Sequence, residues 1–175
     1  DSSTGGTSPN AMMRDFANEH DFVNVFNNHA YGNLLVHTWS YQPIPCPDEE
    51  LIDELSEQMT WHNRFNYGNA FSCLNYFANG ESSDWFYGEQ STKNKSLAWV
   101  PELGSVADGE FWPTPTAIQA QCERSLRMAL TASTSAENYG ILNDLTSYQL
   151  ASPNEELNFS VQHMSLTPGS FSVQV

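Results

Sequence analysis

"NNHAYGNLLVHTWSY", residues 27–41, decides how this chain is to be read. Phe22, Val23, Val25 and Phe26 lead into it as a strand entering a core, and the stretch itself reads as a buried strand with a histidine in its middle. His29 has two readings. It is a core histidine whose nitrogens are satisfied by neighbours, or it is one ligand of a metal whose other ligands lie elsewhere.

Spacing favours the first reading. The histidines are His20, His29, His37, His62 and His163, and none has a carboxylate three positions on, so neither HxxE nor HExxH occurs. Along one continuous strand, His29 and His37 would lie about 26 Å apart, too far to share a metal. A zinc enzyme uses three protein ligands, and no local trio is offered.

Working outward, "AMMRDFANEH" (11–20) has the spacing of a short amphipathic helix, after a Ser/Thr/Gly-rich loop over residues 1–10. "PDEELIDELSEQMTWHNRF" (47–65) predicts a helix, with Pro47 and Asp48 as its start signal. Leu51, Ile52, Leu55 and Met59 form its apolar stripe, and its acidic first turn suits the helix dipole. "AFSCLNYF" (70–77) reads as a short strand before the turn "ANGESS", and "SLAWVPELG" (96–104) as another apolar run. "TPTAIQAQCERSLRMALTAS" (114–133) predicts a second long helix, with Pro115 near its start and Ile118, Cys122, Leu126 and Leu130 on one face. Beyond residue 133 the pattern changes: Leu157, Phe159 and Val161, then Phe171, Val173 and Val175, alternate around a Pro-Gly turn as two strands. Alternating strands and helices make the main body α/β.

Composition narrows the function. With 6 basic and 21 acidic side chains the formal charge is −15, which opposes binding to nucleic acid or an anionic membrane. The sequence holds no apolar run long enough to span a membrane. Cys46, Cys73 and Cys122 are too few for a disulfide-built scaffold and show no CxxC spacing; one bridge with a free thiol and three buried thiols both stay open.

Glu102 is the other residue that stands out. It follows "SLAWVP", a strand too apolar to carry an outward charge, at the end where α/β sheets place their ligands. A salt-bridged turn residue is the alternative, although basic partners are scarce.

Four segments together resemble the zinc metallocarboxypeptidase family, the group of carboxypeptidases A, B and T. "NNHAYGNLLVHTWSY" is similar to the family segment in which a histidine, the third zinc ligand, precedes a small residue and a tyrosine. "LNYFANGESSDWFYGE" resembles the tyrosine-bearing loop, with Tyr76 eight residues before Asp84-Trp85; "WVPELGS" resembles the segment of the catalytic glutamate, and "FWPTPTAI" the segment opening the last helix. The four occur in the family's order between residues 10 and 130.

The resemblance implies a mixed-sheet domain with flanking helices over residues 1–132, the C-terminal portion of the catalytic domain; residues 133–175 read from their alternation as a β-rich extension or the start of a further domain. It implies hydrolysis of C-terminal residues from peptides and proteins outside the cytoplasm, in a secreted, periplasmic or extracellular setting. His29 would be a zinc ligand and Glu102 the general base. Tyr76 would hydrogen-bond the substrate near its C-terminal end, Tyr31 and Phe111 would line subsites, and Ser83 would sit at the base of the C-terminal side-chain pocket. Zinc lowers the pKa of its bound water toward 7, and a neighbouring glutamate can take the proton. The family's HxxE ligands, its oxyanion arginine and its Asn-Arg pair for the terminal carboxylate have no counterpart here, and Ala30 replaces a small hydroxyl residue. Two expectations follow: an enzyme portion that is inactive alone, or a non-catalytic peptide-binding module.

Overall fold

The apolar run that begins at Leu97 becomes the inner strand of a sheet. In a computed structural model, which describes residues 9–146, 152 and 156–174, β4 (Leu97–Glu102) lies between β1 (Asn24–Phe26), parallel to it, and β2 (Leu34–His37), antiparallel to it. β3 (Asn66–Asn69) runs parallel to β2 on the far side, giving the order β1-β4-β2-β3. Every residue from Leu97 to Pro101 is buried. A strand covered on both faces needs no polar alternation, and this one has none.

Parity along β4 and β2 assigns the two faces. Leu97, Trp99 and Leu35 pack against Ile52, Leu55 and Met59 of α2 (Glu49–Thr60) and Met128 of α5 (Pro115–Thr134). Trp99, fully buried, donates from Nε1 to Ser56 Oγ at 2.9 Å, so its one polar atom is satisfied inside the core. On the other face Ala98 meets Ala17 of α1 (Pro9–Asn18) and Phe86 of α4 (Ser82–Gly88), while Val36 and Val100 meet Ala70 of α3 (Ala70–Leu74). Burying each large side chain contributes about 1.5–3 kcal/mol. The result is helices on both faces of a mixed sheet.

An antiparallel ribbon, β5 (Gly140–Asp144) with β6 (Phe159–His163), completes the ordered elements. Tyr139, Ile141, Met164 and Leu166 beside it pack against the α2/α5 core, and Tyr139 Oη donates to Gln58 at 2.8 Å.

Several expectations are corrected. Residues 27–41 do not form one strand: β1 ends at Phe26, His29 holds a single β-bridge, and β2 begins at Leu34. Residues 70–74 of the expected strand form α3, because Asn69 caps it by accepting from the Ser72 backbone N–H, a bond stronger as a helix start than the segment's strand propensity. On α5, Ile118, Cys122, Leu126 and Leu130 face solvent, and the buried residues are Met128 and Thr131. Periodicity predicts the helix but not the side its neighbours cover. β6 pairs with β5 and not with residues 171–174, which form no strand. Pro9 and Asn10 already belong to α1, while residues 1–8 of the expected loop and Val175 of the expected strand lie outside the described residues. All three thiols are free, but only Cys46 is buried: Cys73 is half-buried and Cys122 exposed on α5, so neither a bridge nor three buried thiols is found.

Candidate functional site

Three backbone bonds bring the two residues singled out in the sequence together. The His29 N–H donates to Pro101 O at 2.9 Å, the Leu103 N–H donates to His29 O at 2.9 Å, and the Gly32 N–H donates to Gly104 O at 2.9 Å. Pro101 has no N–H to offer the sheet, but its carbonyl anchors the His29 segment. Gly104 takes φ +87° at this junction, a conformation that disfavours any side chain. The clamp sets His29 opposite Glu102 in a parallel bridge. His29 Nδ1 lies 3.7 Å from Glu102 Oε1, an ion-pair distance longer than a hydrogen bond.

Glu102 shares strand parity with Ala98 and Val100, so it points to the α3/α4 face at the last residue of β4. There it lines a cavity of about 120 Å³ with His29, Ser40, Tyr76 and Glu81. A larger cleft of about 540 Å³ between β1 and α5 gathers no comparable set of groups; its only ionisable members are Asp21 and Glu137.

A relay of polar contacts positions the loop that carries Tyr76 and Glu81. Asp84, in the first turn of α4, accepts from Thr38 Oγ1 at 2.7 Å and from the Ser40 N–H at 2.8 Å. Ser40 O in turn accepts from the Ala78 N–H at 2.9 Å, midway between Tyr76 and Glu81. The Asp-Trp pair thus acts through its aspartate, which ties α4 to the segment after β2.

The predicted residues do not all meet at one point. His29, Tyr76 and Glu102 share the cavity. Tyr31 and Phe111 form an edge-to-face pair with ring centres 4.9 Å apart, and Phe111 is largely exposed. Ser83 is buried in α4, and its Oγ has no hydrogen-bond partner among the described residues. Glu81 was missed: it is the extended residue at the N-cap of α4, between Gly80 and two serines, and its facing of Glu102 is set by the fold.

Burial pushes the Glu102 carboxyl above its ordinary value, the His29 ring pulls it partly back, and the Glu81 carboxylate pushes it up again. The Glu102 side chain is 14% exposed, so its charge is poorly solvated. Such a carboxyl keeps its proton to higher pH than a solvated one, which suits a group that exchanges a proton with water. A catalytic zinc needs three protein ligands converging on one point, and the ligand atoms of His29, Glu81 and Glu102 do not all lie within 4.8 Å of one another. The site residues in hand do not complete a zinc centre.

Residues 7–128 match the zinc carboxypeptidase family. The chain is similar to carboxypeptidase A1 of Homo sapiens, 30% identical over 82 residues that cover 43% of this chain and 19% of that protein. It is also similar to zinc carboxypeptidase A 1 of Anopheles gambiae, 29% identical over 90 residues, 48% of this chain and 19% of that protein. Among solved structures, bovine thrombin-activatable fibrinolysis inhibitor in complex with tick carboxypeptidase inhibitor superposes with a TM-score of 0.61 at 19% identity, covering 73% of this chain and 45% of that one. The matched region is about one fifth of the curated relatives and under half of the solved chain.

Proposed function

The chain belongs to the zinc carboxypeptidase family, and on that premise we propose that it carries part of the active site of a peptidase that removes C-terminal residues from peptides and proteins. His29 supplies one zinc ligand, and Glu102 holds and releases the proton of the attacking water. Tyr76 donates a hydrogen bond near the substrate's C-terminal end, the Tyr31–Phe111 pair lines a subsite, and Ser83 lies at the base of the C-terminal side-chain pocket. The remaining zinc ligands and the carboxylate-binding groups come from protein outside these 175 residues. The setting is extracellular or periplasmic.

The observation that carries this reading is the backbone clamp that sets His29 against Glu102 across a single bridge, with Tyr76 and Glu81 on the same cavity wall. The test is hydrolysis of peptides with free C-termini by the purified chain in added zinc. No turnover is expected, because His29 and the carboxylates beside it do not converge as a three-ligand zinc site. Sustained turnover overturns the division of the site between this chain and further protein.

A second reading, a non-catalytic peptide-binding module, is favoured by the same lack of convergence. Saturable binding of a C-terminal peptide without hydrolysis, in a protein that natively lacks the other ligands, separates it from the first.

A further inference from the structure

We propose that His37, Glu49 and Asp53 form a second metal site, for a divalent transition ion of the zinc, cobalt or manganese class, on the face of the sheet opposite His29 and Glu102. His37 is the last residue of β2 and shares strand parity with Leu35, so it faces α2. Glu49 and Asp53 stand one turn apart on α2, on the side that meets it. One ligand atom from each of the three lies within 4.8 Å of the other two.

The hydrogen bonding of His37 holds its ring as a metal-binding imidazole is held. Its side chain is fully buried. Nδ1 lies 2.9 Å from Thr38 O, and a carbonyl only accepts, so Nδ1 carries a hydrogen. Nε2 faces Asp53 Oδ1 at 3.1 Å, either as the N–H of an imidazolium donating to the carboxylate or as a lone pair that shares a cation with it. The carbonyl bond on Nδ1 is the arrangement that orients a metal-binding imidazole, and it aims Nε2 at the point where the Glu49 and Asp53 carboxylates converge.

The ligand set selects the ion. One imidazole nitrogen with two carboxylates suits zinc, cobalt or manganese better than calcium or magnesium, which take oxygen alone. Asp53 is 47% exposed, which leaves it free to turn toward an ion and gives the ion a path from solvent. Glu49 Oε2 accepts from the Cys46 N–H at 3.0 Å, which fixes the carboxylate beside His37. The chain's charge of −15 draws cations toward it.

Cobalt(II) titrated into the 175-residue chain, followed by its visible absorption, and zinc followed by calorimetry, test the proposal. A single equivalent should bind. Asp53→Asn and Glu49→Gln should each weaken it roughly tenfold or more, with circular dichroism showing that both variants remain folded. His29→Gln should leave it unchanged, which separates this site from the one proposed above. Absence of binding up to about 1 mM metal, or affinity that survives either α2 substitution or falls with His29→Gln, overturns the proposal.

Discussion

His29 and Glu102 face each other across one parallel β-bridge, Nδ1 to Oε1 3.7 Å, although 73 positions separate them in the chain. The register of β4 places Glu102, and the Pro101 and Leu103 backbone places His29. Two weak sequence signals become one site only through the sheet.

The burial of Glu102 has a consequence for stability. Its carboxyl is raised in the fold, so the folded chain binds that proton more tightly than the unfolded chain does. This contribution is fully present below the ordinary carboxyl value and is lost as pH rises through the raised folded value. Glu102→Gln removes the titration. The variant should therefore gain stability relative to the parent as pH rises from about 4 toward 7. Urea unfolding at a series of pH values reads the difference, and a variant that loses ground with rising pH contradicts it.

Asp84 is expected to matter through its hydrogen bonds. Asp84→Ala leaves the buried Thr38 hydroxyl and the Ser40 N–H without their acceptor, at a cost of about 3 kcal/mol. Asp84→Asn retains one acceptor oxygen and should lose about half as much. Chemical denaturation measures both.

The two sides of α5 should respond oppositely to truncation. Met128 is buried in the α2/α5 core and Leu126 is 58% exposed. Met128→Ala should cost about 2–5 kcal/mol, and Leu126→Ala less than about 0.5 kcal/mol. Equal losses measured by thermal unfolding would mean that the other side of the helix is covered.

Thiol reactivity should follow burial. Burial pushes the Cys46 thiol up to about 12, with the Glu49 carboxylate beside it acting in the same direction. Burial also raises Cys73. Cys122 is exposed on α5 and should react first with a maleimide at pH 8, while Cys46 stays unlabelled until the chain unfolds. Peptide mass spectrometry over a time course reads the order.

Much of the sheet was legible in the sequence, for identifiable reasons. An unbroken apolar run predicts a strand covered on both faces, and Leu97–Val100 is that strand. The stripe Ile52, Leu55 and Met59 faces the core as its period requires. What misled was local. The 27–41 stretch has strand composition, yet its backbone bonds pass from β1 to a lone bridge and then to β2. The Asn69 cap outweighed the aromatic content of residues 70–77. Glu81 and the His37–Asp53 contact were invisible because each depends on which elements the fold sets side by side.

The most direct test of the shared site is the titration of the Glu102 side-chain carboxyl, followed by carbon NMR in the parent and two variants. The account predicts a midpoint above 4.5 in the parent. Glu81→Gln should lower that midpoint, because the Glu81 charge raises it, and His29→Gln should raise it further, because the His29 ring pulls it down. A Glu102 midpoint at or below 4.5, or one that neither substitution moves, would contradict the claim that the three side chains form a single site.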